Sequence, residues 1–268
     1  MGTRWKLEEW SGVEWSGVEW SGVEWSGVEW SGVEWSGVEW SGVGRAVTIR
    51  HRRVDRGYDM TGEDTVEIPV DSVRLEGNLH VPSDADGIVL FAHGSGSSRK
   101  SPRNNFVAER LHEFGLGTLL FDLLTEAEDE TYANRFDIEL LTDRLVAVTE
   151  WVEQRPETEE RGVGYFGSST GAAAALRGAA RRPEVGATVS RGGRVDLATE
   201  VLADVTAPTL FIVGGRDTQV LELNREAYDR LRCEKELEVV PGAGHLFEEP
   251  GTLESVATLA GEWFSSHL

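Results

Sequence analysis

One cysteine, Cys233, two methionines and only three lysines occur among the 268 residues. A lone cysteine excludes an intramolecular disulfide and a thiolate metal cluster. No HExxH pair, Walker loop or dinucleotide glycine fingerprint is present, so chemistry without a metal or cofactor is expected. No apolar run approaches the roughly 18 residues of a membrane helix, and the first residues lack the apolar core of a secretory signal. A cytoplasmic location follows as an expectation. Acidic residues number 47 against 26 basic ones, a net charge of -21. A surface of that sign repels nucleic acid and anionic membranes, so neither is expected as a partner. Nothing in the sequence speaks to oligomeric state.

Residues 10–44 hold six perfect copies of WSGVE and a seventh that ends in glycine. A five-residue period turns each tryptophan by about 140° around a helix and flips it between the faces of a strand, so neither structure gathers them on one face. Arg45 to Asp59 then carries five arginines against two aspartates, and Met60 follows. Two units are therefore expected: residues 1–59, dispensable, and residues 60–268, a folded domain. The first unit reads as upstream sequence ahead of a start at Met60, or as a disordered arm whose tryptophans anchor a partner.

The densest signal lies at Val163 to Gly171, VGYFGSSTG, an apolar strand running into Gly167-Ser168-Ser169-Thr170-Gly171. In a nucleophile elbow the serine occupies a strained strand-to-helix turn, and glycines flank it because a Cβ would collide with the neighbouring strand or helix. Ser169 is the candidate nucleophile. Without chemistry, the same residues would be a glycine-rich connection.

A serine hydroxyl needs a base to take its proton and a carboxylate to orient that base. Pro208 to Asp217, PTLFIVGGRD, ends a β-branched run with Asp217, and Glu236 to His245, ELEVVPGAGH, ends a second with His245. Each falls just after a strand, and the order Ser169, Asp217, His245 is that of an α/β-hydrolase. Asp217 could instead cap the helix that begins near Thr218, and His245 could be a solvated loop residue. Upstream, Gly87 to Gly94, GIVLFAHG, opens into Ser95-Gly96-Ser97-Ser98. Backbone N–H groups of Ser95 and Thr170 are the candidate oxyanion hole, with His93 shaping the loop.

HGSGSS, FDLL, GSSTG, SRGGR, VGGRD and GAGHLFEEPG, in that order between Val66 and Phe264, resemble a small, lidless dienelactone-hydrolase-type member of the α/β-hydrolase superfamily. The enzyme that names this family is similar in fold but uses a cysteine nucleophile, where this sequence has Ser169. The resemblance therefore implies hydrolysis and leaves the lactone activity open. Cys233 lies in DRLRCEKEL, far in sequence from any catalytic loop.

Strand candidates near Ile88, Thr118, Val163, Ala187, Thr209 and Leu237 alternate with helical patterns over 102–114, 137–154, 171–180, 219–231 and 252–264, after a hairpin over Thr65 to Pro82. This predicts an α/β-hydrolase fold: a mostly parallel central sheet with helices on both faces. The short stretch from Ser190 to Pro208 leaves no room for a large cap domain. Arg99 and Arg103 follow the oxyanion loop and Arg191 follows the strand at Thr188, so these three are candidate contacts for an anionic group on the substrate. Salt bridging to the acidic stretch Glu126 to Glu130 is the competing reading.

Two functions are open. One is a serine hydrolase of a carboxylic ester or lactone, small and possibly anionic, with thioesterase and peptidase variants using the same triad. The other is a silent α/β-hydrolase scaffold that binds a ligand or partner. The abundance of carboxylates resembles proteins of salt-loving archaea, in which solvated acids keep a protein soluble when charge repulsion is screened.

Overall fold

The structure, a computed structural model, describes residues 64–268. The repeat array, the basic segment and Met60 lie outside the described residues. β1 (Asp64–Val70) and β2 (Val73–His80) form the expected hairpin, with Val70 opposite Val73 at the turn. Asp71 makes the corner at φ 49°, a left-handed conformation that a short polar side chain tolerates.

The remaining strands are β3 (Gly87–Ala92), β4 (Gly117–Phe121), β5 (Gly162–Ser168), β6 (Ala187–Arg191), β7 (Thr209–Gly214) and β8 (Lys235–Val240). They assemble in the order β1-β2-β4-β3-β5-β6-β7-β8. β2 pairs antiparallel with β4, and every pairing from β4 to β8 is parallel. Parallel strands require crossover connections, which place helices on both faces, and the strands are accordingly apolar along their whole length. GIVLFA, GTLLF and TLFIVG are buried at every position.

Among the described residues five helices lie in those connections, α1 (Pro102–Glu113), α2 (Glu126–Asp129), α3 (Ile138–Glu153), α4 (Thr170–Arg181) and α5 (Thr218–Arg230), and α6 (Thr252–His267) follows β8. One face of the sheet packs Leu90, Tyr165 and Phe211 against Leu145 and Val148 of α3, Leu176 of α4 and Ala227 of α5. The other packs Phe91, Phe166 and Ile212 against Val107 and Leu111 of α1 and Val256 and Phe264 of α6. Successive strand residues thus feed alternate cores, and each fully buried Phe or Leu contributes about 2 kcal/mol by leaving water.

Helix starts follow their sequence signals. Ser101 accepts the Asn104 N–H ahead of Pro102, and Asp137 accepts the Leu140 N–H at 3.1 Å, each satisfying an orphan donor of a first turn. Between Arg191 and Thr209 the chain makes only two short 3₁₀ turns, Val195–Ala198 and Leu202–Asp204, so this connection carries no cap domain. The sequence reading missed α2 and the 3₁₀ turn Tyr132–Phe136. Both are shorter than two helical turns and present no apolar periodicity to detect.

Candidate active site

Ser169 sits between the end of β5 and the start of α4 at φ 50°, ψ -120°, a conformation rare for a residue with a Cβ and costing about 1–3 kcal/mol. Neighbours hold it there. Its N–H donates to the Arg191 carbonyl at 3.3 Å and its own carbonyl accepts the Arg194 N–H at 2.9 Å. A Cβ on Gly171 would lie 2.1 Å from the Ala92 oxygen, and one on Gly167 2.4 Å from the Ala172 Cα, which is why this turn requires glycine on both sides. Ser168, by contrast, is the last residue of β5 and is buried.

Asp217 follows β7 and His245 follows β8, and the structure brings them together: His245 Nδ1–H donates to Asp217 Oδ2 at 2.7 Å. With Nδ1 carrying the proton of that bond, the Nε2 lone pair is left free to accept one. The helix-cap reading of Asp217 also holds, because Oδ1 accepts the Val220 N–H at 3.4 Å. One carboxylate therefore starts α5 and aims the histidine. His245 also abuts the elbow: a Cβ on Gly192, the residue after the carbonyl that receives the Ser169 N–H, would lie 3.4 Å from the His245 oxygen and 3.5 Å from its Nδ1. Glu249 secures the loop by accepting the Gly244 N–H at 3.0 Å and pairing with Arg216 at 3.3 Å. Neither Gly192 nor Glu249 was singled out from sequence, although both lie inside motifs that were.

The loop after β3 turns sharply, with the Ser97 N–H donating to the Gly94 carbonyl at 3.1 Å and Gly96 at φ 70°, the positive φ that a type II turn demands at its third residue. Gly94 presses on Ser169, since a Cβ there would lie 2.9 Å from Ser169 Cβ. The Ser95 N–H is engaged by the Thr170 hydroxyl at 2.9 Å. The Thr170 N–H, at the first position of α4, has no carbonyl partner within its own helix. His93 bridges the Gly94 carbonyl at 3.0 Å and the Leu123 N–H at 3.1 Å. Burial holds its pKa below the usual histidine value against the opposing pull of the Gly94 carbonyl, Asp122 and Asp129. A neutral ring with Nδ1–H donating and Nε2 accepting fits both contacts, and it pins the loop to the end of β4.

The three candidate arginines part company. Arg99 is committed to Asp122 and Glu76, and its backbone N–H also donates to Asp122 at 2.7 Å. Its charge is already answered, so the expectation that it meets substrate is dropped. The acidic stretch that was its competing partner pairs elsewhere, Asp129 with Arg135 and Glu128 with Arg144, each at 2.7 Å. Arg103 reaches exposed Glu248 at 3.4 Å. Arg191 is buried, and its Nε and Nη1 have no hydrogen-bond partner. Cys233 is half-buried just before β8, at the amino ends of the strands, with its thiol pushed up by burial.

A parallel sheet with a serine elbow, an aspartate and a histidine at the carboxyl ends of β5, β7 and β8 defines an α/β-hydrolase. Residues 76–262 match the dienelactone hydrolase family, and the chain belongs to it. A crystal structure of a dienelactone hydrolase from Anabaena variabilis is 55% identical and superposes with a TM-score of 0.76, covering 77% of this chain and 98% of that one. A Mycobacterium tuberculosis protein named as a phosphoribosyl transferase is 57% identical over 207 residues, 77% of this chain and 47% of its own length. The chain thus spans about half the length of that relative. Est1E from Butyrivibrio proteoclasticus, 16% identical with a TM-score of 0.65 over 75% of this chain and 98% of its own, shares the fold. The described residues form a domain of the α/β-hydrolase fold, and among them no helix is long and apolar enough to cross a membrane.

Proposed function

We propose that the chain is a serine hydrolase of small carboxylic esters or lactones. The observation that carries this reading is the 2.7 Å contact between His245 Nδ1 and Asp217 Oδ2 beside a strained Ser169. His245 Nε2 takes the Ser169 proton as Oγ attacks the carbonyl, the tetrahedral oxygen is met by the Thr170 N–H and the Ser95 edge of the loop, and collapse gives an acyl-enzyme. His245 returns the proton to the leaving alcohol, then activates the water that releases the acid. The uncapped connection after β6 leaves the site open, which suits small or exposed substrates, and Arg103 and Arg191 favour an anionic one.

An active-site-directed fluorophosphonate tests it. Labelling and ester turnover are expected in the full chain and in Ser168→Ala, and are expected to vanish in Ser169→Ala, since loss of a triad member removes on the order of a million-fold in rate. A dead Ser168→Ala variant with a live Ser169→Ala variant overturns the assignment. An unlabelled, inactive native protein favours the silent scaffold. Thioesters and peptides in the same panel separate those variants of the reaction. A chain beginning at Met60 should match the specific activity of the 268-residue chain, because every strand and helix described starts after it.

A further inference from the structure

Tyr132 is 70% exposed and Phe136 44% exposed, yet the 3₁₀ turn that carries them is tightly held. Thr125 and Glu128 close a capping box at the start of α2, and Arg144 of α3 donates to Glu128 at 2.7 Å. The Asn134 side chain donates to the Glu128 carbonyl at 2.8 Å. Arg135 grips Asp129 with two parallel bonds, Nε to Oδ1 at 2.8 Å and Nη2 to Oδ2 at 2.7 Å, and Nη2 also meets the Asp129 carbonyl at 3.0 Å. A forked pair of this geometry fixes orientation as well as distance. Two aromatic rings are thereby displayed to water on an ordered backbone, their centroids 5.1 Å apart and their planes at 55°, although burial of either would favour the fold.

Their location joins them to the catalytic cleft. Ser95 and Gly96 of the oxyanion loop share a cavity with Asp129 and Arg135, and Leu123 and Leu124 are among its walls. Its volume is about 10 Å³, room for about one water molecule. A bulky substituent of the substrate on this side therefore finds no interior pocket and must pass outward over the rim. Side chains three residues apart eclipse in a 3₁₀ turn, so Tyr132 shares the face of the cavity-lining Arg135, and Phe136 follows directly. The rim is thus the aromatic pair.

We propose that Tyr132 and Phe136 form a specificity-determining platform for an aromatic group carried by the ester or lactone that Ser169 attacks. This rests on the serine-hydrolase reading above. Two tilted rings offer a third ring both a face and an edge, whereas an alkyl chain gains only area and loses rotamer freedom as it settles. The turn is ordered before substrate arrives, so little further entropy is lost on binding.

Two ester pairs test it, each followed by pH-stat so that no chromophore adds a ring of its own. Ethyl 3-phenylpropionate against ethyl propionate places the ring on the acyl side, and 3-phenylpropyl acetate against propyl acetate places it on the leaving group. The native enzyme should favour the ring-bearing member of at least one pair in kcat/KM. Tyr132→Ala and Phe136→Ala should each cut that ratio by about 3- to 10-fold, the scale of an aromatic contact, chiefly through KM. Tyr132→Phe keeps the ring and should retain the ratio. Tyr132 stands clear of the core, so its variants keep the test open if Phe136→Ala weakens the fold. No preference for a ring in the native enzyme, or a ratio unmoved by Tyr132→Ala, would overturn the proposal. So would a native dimer that Tyr132→Ala turns into a monomer at an unchanged ratio, which would give the rings to a second copy of the chain. Binding supplies an independent readout: adding Tyr132→Ala to the Ser169→Ala chain should weaken NMR saturation transfer to the phenyl ring of 3-phenylpropanol, and unchanged transfer counts against the platform. Failure of fluorophosphonate labelling defeats the serine-hydrolase reading separately, because the saturation transfer reports on the rings without turnover.

Discussion

The Ser95 N–H and the Thr170 hydroxyl are joined at 2.9 Å, a bond between the loop after β3 and the residue that follows the nucleophile. It ties together the two residues assigned to the oxyanion hole, with the Ser95 N–H donating to the Thr170 side chain, and sets the spacing of the two loops before substrate arrives. Preorganisation of this kind is what makes oxyanion stabilisation effective, because no reorganisation is needed at the moment of reaction.

Thr170→Val keeps the shape and removes the acceptor, leaving a donor of the loop unanswered. Turnover is expected to fall by about 10- to 100-fold, below the 100- to 1,000-fold typical of losing an oxyanion donor outright. KM should change little, and affinity for a boronate analogue of the tetrahedral state should drop in parallel with kcat. Thr170→Ser should recover most of the loss. Equal effects of Val and Ser would mean that the methyl group, and not the hydroxyl, matters.

Asp217 holds two partners, and substitution can separate them. Asn is as good a helix cap as Asp, but its amide favours the wrong histidine tautomer. Asp217→Asn should therefore lose on the order of 10,000-fold in kcat with a nearly unchanged melting temperature, whereas Asp217→Ala should also lose about 1 kcal/mol of stability from the cap. Urea denaturation alongside steady-state kinetics distinguishes them, and comparable stability for both variants would show that the 3.4 Å cap contributes nothing.

Strands and crossover helices were legible because each leaves a periodic apolar mark, and their observed limits differ from expectation by a few residues. The elbow, Asp217 and His245 were legible because the backbone there needs glycine, which sequence displays directly. Arg99 misled because pairing partners are invisible in sequence: Asp122 and Glu76 come from β4 and β2 edges that meet it only in the fold. The second role of Asp217 escaped for the opposite reason, since a capping signal and a catalytic signal were read as rivals when one carboxylate has two oxygens.

Loss of stability in acid follows from two histidines held neutral. His93 is depressed by burial, and His112 is lowered to about 4 by burial and by the neighbouring His80, while its Nε2 meets the Thr118 hydroxyl at 2.8 Å. A group whose folded pKa lies below its unfolded value binds more protons when unfolded, so its contribution is complete above about pH 6.5 and is lost as pH falls toward the folded value. Stability should thus decline between about pH 6.5 and 4, and His112→Leu should flatten that decline. A variant with the native slope would remove His112 from the account.

Salt poses a contest between two electrostatic effects. Surface pairs such as Arg181 with Asp143 at 2.6 Å and Arg182 with Glu153 at 2.6 Å attract at contact, and exposed pairs of this kind are worth about 0–1 kcal/mol each. Against them stands the long-range repulsion of a net charge of -21, spread over distances beyond the Debye length of about 3 Å at 1 M salt. Screening removes distant interactions before contact ones, so repulsion should be relieved more than attraction is weakened. The melting temperature is expected to climb from dilute buffer to molar KCl, measured by calorimetry at fixed pH. A flat or falling trend would mean that the carboxylates are already balanced by their arginines, and would remove the reading of this surface as one adapted to high salt.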